Sequence, residues 1–247
     1  MKRLTLIFGV IFAFGTMPVL AQEAVEEEEP EPAWVGSLGL SWVATSGNTD
    51  TSSIGADFAL DRKPEPWGLS FVARGNRADD QGVKTAENYL VSARAVRTLS
   101  KRWEAFGGLA WARDPFAGFD SQSVASAGAT YKALEGERHT LEFDVGFAYT
   151  WEDRLPPEAD VDFAGGVLGL SWEWKLGASS KLTEKLVFQP NFDDTDDWRL
   201  NSITAIEAAV NEWLALRFGF DIRHRNQPIG DADGTDTTST ASIVFNF

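Results

Sequence analysis

The segment Leu141–Trp151 reads LEFDVGFAYTW, and its pattern decides the fold. Leu141, Phe143, Val145, Phe147, Tyr149 and Trp151 take every second position, with Glu142, Asp144, Gly146, Ala148 and Thr150 between them. Successive side chains of a strand point to opposite faces, so the large apolar groups share one face and both carboxylates the other. A helix would spread the same residues around its circumference.

The alternation extends in both directions. Toward the N-terminus it takes in Tyr131, Ala129, Ala127 and Ala125, then Trp111 to Trp103, Tyr89 to Ala95, Trp67 to Ala73, Ile54 to Leu60 and Trp34 to Ala44, where Gly47-Asn48 supplies a hairpin turn. Toward the C-terminus it takes in Leu168 to Leu176, then Leu182, Leu186, Phe188 and Phe192. Next comes a mixed face of Leu200, Ile206, Ala208 and Val210 in phase with Ser202 and Thr204. Leu214 to Ile222 and Ala241 to Phe247 complete the series. Twelve strands result, each with one apolar face, and the reading is all-β: a twelve-stranded antiparallel up-and-down transmembrane β-barrel over residues 34–247.

An even strand number puts both chain ends on one side. That side receives the connections 61–66, 98–102, 133–138, 177–181 and 211–212, most of them short. The other receives 76–84, 114–121, 153–160, 193–197 and 226–236, mostly longer and rich in aspartate. Short periplasmic turns and longer external loops have this asymmetry. Many of the ten tryptophans fall at strand ends, as aromatic belts at the two membrane interfaces require. Trp213 is the exception, with an inward phase. A soluble periplasmic β-barrel acting as a binding module is the competing reading, with its tryptophans in the core.

The N-terminus adds the address. Lys2-Arg3, an apolar run from Leu4 to Phe14 and Val19-Leu20-Ala21 form a cleavable signal peptide over residues 1–21, which exports the chain toward the cell outer membrane. Residues 22–33, QEAVEEEEPEPA, are too acidic and too poor in apolar groups to fold and read as a disordered linker. Removing 1–21 takes two of the 22 basic groups and none of the 37 acidic ones, so the charge falls from −15 to −17. Such an acidic chain is a poor ligand for nucleic acid, whose phosphates require Lys and Arg. With no cysteine there is no disulfide framework, thiolate metal site or thiol nucleophile.

Trp34–Asp50, WVGSLGLSWVATSGNTD, has a glycine-rich strand leading into Ser46-Gly47-Asn48-Thr49; Asn88-Tyr89, Asp114-Pro115-Phe116 with Phe119-Asp120, and Ser242–Phe247 follow. In these residues the chain resembles an uncharacterised family of salt-induced outer-membrane proteins of Gram-negative bacteria. The resemblance implies fold and location and brings no catalytic residue with it. The aromatic Phe247 looks like the signal that outer-membrane barrels present to the barrel assembly machinery. Outer-membrane lipids are the other expected partner.

The polar face carries Asp57, Arg74, Arg94, Glu142, Asp144, Glu173, Lys175, Lys185, Glu207, Arg217, Asp221 and Arg223, which a barrel directs into its lumen. Twelve strands lie between the filled interior of eight and the open channel of sixteen. Paired charges would plug the lumen, and unpaired ones would line a narrow channel for ions or small solutes. His139 and His224 are the only histidines, and neither has an adjacent serine on its face, so no catalytic residue is assigned and no enzyme is expected. No cofactor is implied. Two loops collect aspartates, 193–197 and 231–236. Solvated acidic loops are the simpler reading; weak binding of divalent cations by Asp231, Asp233 and Asp236 is the sharper one. The expected protein is an outer-membrane barrel with a structural or envelope-stress role.

Overall fold

The computed structural model describes residues 34–45, 51–63 and 66–247. The leader expected at 1–21, the acidic linker 22–33 and the turn around Gly47-Asn48 lie outside the described residues. Twelve strands follow in chain order: β1 Trp34–Thr45, β2 Thr51–Arg62, β3 Trp67–Asp80, β4 Val83–Thr98, β5 Trp103–Asp114 and β6 Phe119–Glu135, then β7 His139–Arg154, β8 Val161–Lys175, β9 Ser180–Pro190, β10 Trp198–Ala209, β11 Leu214–Arg225 and β12 Thr235–Asn246. Each pairs antiparallel with its sequence neighbours, and β1 pairs with β12 to close the barrel.

The β1–β12 seam pairs Ser37–Leu40 with Ile243–Asn246 and extends to Phe247. Gly36 N donates to Phe247 O at 2.8 Å and Phe247 N to Gly36 O at 3.0 Å, so the chain's final peptide group continues the β1–β12 ladder. The Phe247 ring lies where a side chain at position 36 would project, and only glycine leaves that space. Phe247 is exposed on the outer wall, its ring stacked 6.5 Å from that of Phe58.

The distribution of polarity is the reverse of a soluble domain's. Trp42 and Phe147 are each 74% exposed on the outside, whereas Glu152 is 1% and Thr130 2% exposed on the inside. Large apolar groups around a whole circumference find a favourable environment only in hydrocarbon, so the barrel is a transmembrane one. Closure also removes the unpaired sheet edges that a bilayer cannot satisfy.

Several connections differ from the sequence reading. Instead of a loop over 76–84, β3 and β4 run on to a two-residue turn, Gln81-Gly82, with both residues at positive φ (49° and 79°). The outer face of this extension is ionic, with Arg77–Asp79 at 3.1 Å and Lys84–Glu87 at 2.6 Å, so the hairpin continues beyond the apolar band. The alanine-rich β6 keeps its register against β5 and β7 and absorbs two bulges, near Phe119–Ser121 and Lys132–Leu134. Trp213 does not point inward: it lies in the turn before β11, where strand phase no longer applies, and stacks at 10° on Phe245.

Candidate functional site

Because the outer wall meets hydrocarbon, chemistry specific to this chain concentrates in the lumen. Strand pairing places all twelve charges expected there on the inner face. Contacts between strands that are not neighbours identify the concave side. Arg94 of β4 grips Asp144 of β7 through two bonds of 2.8 and 2.9 Å. Thr130 of β6 links the same two groups, and the guanidinium sits 3.9 Å above the Phe106 ring. Arg217 of β11 reaches Asp57 of β2 at 3.0 Å while holding Glu207 at 2.7 Å. Lys132 binds Glu104 at 2.8 Å, and Lys181 lies between Glu207 and Glu173 at 3.6 and 3.9 Å. Arg74, Glu142, Lys185 and Asp221 project inward without an ion-pair partner within 4 Å among the described residues. Lys175, at the turn end of β8, also faces in, opposite Lys181.

The loop end of the lumen holds a buried ionic cluster that sequence reasoning missed. Glu152 accepts bonds from Arg225 at 2.8 and 3.0 Å, Arg154 at 2.9 Å and Gln122 at 2.6 Å, and Arg199 lies 3.2 Å away. Asp197 contacts Arg199 and Arg225 at 3.5 and 3.6 Å and accepts from Asn191 at 3.2 Å. Three arginines thus surround two carboxylates, and Arg199 covers the Phe163 ring at 5.0 Å. Such a cluster is held by mutual attraction in a low-dielectric space, and removal of one member leaves the others uncompensated. Asp197 was expected in a solvated acidic loop. It is buried instead, because the chain turns inward just before β10.

Beside this cluster, Arg223 of β11 donates to Asp114 of β5 at 2.7 Å. In a ring of twelve those two strands stand on opposite walls, so the contact crosses the lumen. Asp114 also accepts from Ala117 N at 3.1 Å, capping the 3-10 turn Pro115–Ala117. Gly118 follows at φ +90°, and a Cβ there would lie 2.7 Å from Ile229, a buried side chain of the β11–β12 connection. Leu155 N donates to Gly118 O at 2.9 Å. Three connections therefore pack on one another at the loop end.

The proposed cation ligands are not gathered. Asp236, the second residue of β12, stands opposite Arg223, 3.8 Å from its guanidinium, while Asp231 and Asp233 are exposed in the loop. Among the described residues no group of three histidines or carboxylates has metal-binding geometry. His139 stacks on Trp172 and Trp174, with ring centroids 6.1 and 5.6 Å away. His224 Nδ1 meets Thr235 Oγ1 at 2.8 Å, and its ring lies 4.8 Å from that of Trp198. Contrary to the sequence reading, a serine does share the outer face with His224: Ser202, opposite the adjoining Ile222. Its hydroxyl is committed elsewhere, donating to Glu184 at 2.7 Å.

Comparison with known proteins follows this geometry. The chain is 24% identical over 240 residues to the uncharacterized protein YdiY of Escherichia coli K12, covering 94% of this chain and 93% of that one. The COG4313 outer membrane channel from Pseudomonas putida F1 is similar in fold, with a TM-score of 0.52, 12% identity, and coverage of 90% of this chain and 97% of that one. The NanC porin gives a TM-score of 0.49 at 10% identity, over 86% of this chain and 97% of that one. With residues 38–247 matched, the chain belongs to the family described as a protein of unknown function, DUF481.

Proposed function

We propose that this is a non-enzymatic outer-membrane barrel, exported by its N-terminal leader, which keeps its lumen shut and serves a structural or envelope-stress role. The carrying observation is the buried Glu152, held by three arginines across the loop end. An assembly of this kind fills space and links β7, β10 and β11 from within, which suits a wall element better than a conduit. The even strand number, the short turns beside both termini and the aromatic exterior favour the outer membrane, with the turn end periplasmic and the loop end external. Recognition of Phe247 by the assembly machinery and induction by salt belong to the same reading.

Fractionation tests the location: the chain should sediment with outer membranes and migrate faster on gels unheated than boiled. Recovery as a soluble periplasmic protein would reject it. Protein levels should rise when sodium chloride is raised, and a flat response would remove the salt-response part alone.

A second reading, a narrow channel, is favoured by one observation. Lys185 faces inward from the middle of β9 with open space beside its side chain, and Arg74 and Glu142 act on it across the same stretch of the lumen. On this reading the loop-end cluster closes an otherwise polar path.

A further inference from the structure

The outer wall has a polar interruption where an apolar surface is expected. Glu184 stands on the outer face of β9, directly opposite Trp172 of β8 and Thr204 of β10. Its carboxylate accepts from Ser202 Oγ at 2.7 Å and from Thr204 Oγ1 at 2.5 Å. Leu182 and Leu186 flank it along the strand, and Leu170, Ile206 and Phe220 extend the apolar surround. The hydrophobic pattern is broken on both strands at once, and the breaks meet.

Two neutral hydroxyls do not complete this group. A carboxylate has about four acceptor positions, and here two are used. No lysine or arginine lies within 4 Å of Glu184 among the described residues. Ionisable groups on a lipid-facing wall are costly and are retained where something compensates them.

Depth narrows what that something is. Trp174 pairs with Leu182, two residues nearer the β8–β9 turn, and His139, Trp172 and Trp174 form a stacked aromatic cluster there. At about 3.3 Å per residue, Glu184 lies roughly 13 Å along its strand from Ser180, and less along the tilted barrel's axis. It is therefore close to the aromatic belt, within reach of a headgroup that dips slightly. Indole faces attract cations through their quadrupole, and an anionic oxygen beside them adds direct charge complementarity.

We infer that Glu184, with Ser202, Thr204 and the indole of Trp172, forms a site on the outer wall for the primary ammonium headgroup of an aminophospholipid in the leaflet beside the β8–β9 turn. A primary ammonium has N–H groups to give to the free carboxylate positions; a quaternary one does not, and an anionic headgroup is repelled. The inference rests on the membrane reading above.

The test is native mass spectrometry of the full barrel in non-ionic detergent, titrated with phosphatidylethanolamine, phosphatidylcholine or phosphatidylglycerol carrying the same acyl chains. Wild type should bind the ethanolamine lipid about tenfold more tightly than the other two. Glu184→Gln and Trp172→Leu should each bring the three within about twofold, while Glu212→Gln, the same charge change in the exposed turn before β11, leaves the preference intact. Using two separate variants keeps the test valid if one fails to fold. Equal binding of all three lipids by wild type, or a preference that survives both variants, would overturn the site. A dimer that Glu184→Gln dissolves would assign this face to a second copy and also overturn it. Loss of heat-modifiable migration in wild type would instead count against the membrane reading.

Discussion

Arg223 Nη1 lies 2.7 Å from Asp114 Oδ2, joining two strands from opposite walls of the barrel. Asp114 also caps the turn leading to Gly118, on which Ile229 rests. One carboxylate therefore fastens both a cross-lumen bridge and the loops stacked beside it. Asp114→Ala should free the 226–234 connection. In liposome-embedded protein, cleavage by an aspartate-directed endoproteinase before Asp231 or Asp233 should accelerate several-fold; a rate equal to wild type would mean that the connection is held by other contacts.

Among the described residues, Glu152 is the one acceptor that all three arginines of its cluster share. Glu152→Ala leaves those cations facing one another around Asp197. A loss of about 3–5 kcal/mol is expected for breaking a buried ionic assembly in this way. Urea unfolding of the reconstituted barrel measures it, and a loss below about 1 kcal/mol would show that water already screens the cluster.

Thr130 offers a smaller and cleaner case. Its hydroxyl accepts from Arg94 at 2.8 Å and donates to Asp144 at 2.6 Å, and the side chain is buried. Thr130→Val keeps the shape and deletes both bonds, so a cost of about 1–3 kcal/mol is expected. In an Asp144→Ala background the same substitution should cost less, because one of its partners is already gone. Equal costs in the two backgrounds would dissolve the proposed coupling.

Closure at Phe247 predicts a contrast between two glycines. Gly36→Val must displace the Phe247 ring and should slow assembly into the heat-modifiable form. Gly219→Ala places its methyl group where nothing lies within 4 Å and should assemble like wild type. Similar kinetics for both variants would show that the ring is not needed for closure.

The apolar wall was legible because period-two patterning records it directly: Leu141–Trp151 alone fixes which face meets lipid. Phase also reaches Glu152, which alternates with Glu142 and Asp144, and Arg225, which follows Arg217 and Arg223; nearness to the loops obscured both. Which inner charges meet is a different matter. The pairing of β7 with β11, or β5 with β11, depends on barrel stagger, which sequence spacing does not encode. Asp197 looked solvated because it follows three aspartates, and only the inward turn before Trp198 buries it. The β3–β4 hairpin looked like a loop because a strand that leaves the bilayer loses its apolar face. Glu184 was hidden among leucines, its partners on a strand already noted as mixed.

On the proposed function, the barrel is shut at its loop end by the Glu152 and Asp114 contacts. Planar-bilayer recording tests it most directly, comparing wild type with a Glu152→Ala, Asp114→Ala double variant. The account predicts a folded, electrically silent wild type and discrete conductance steps in the variant. Steady conductance through wild type, unchanged by the two substitutions, would contradict it.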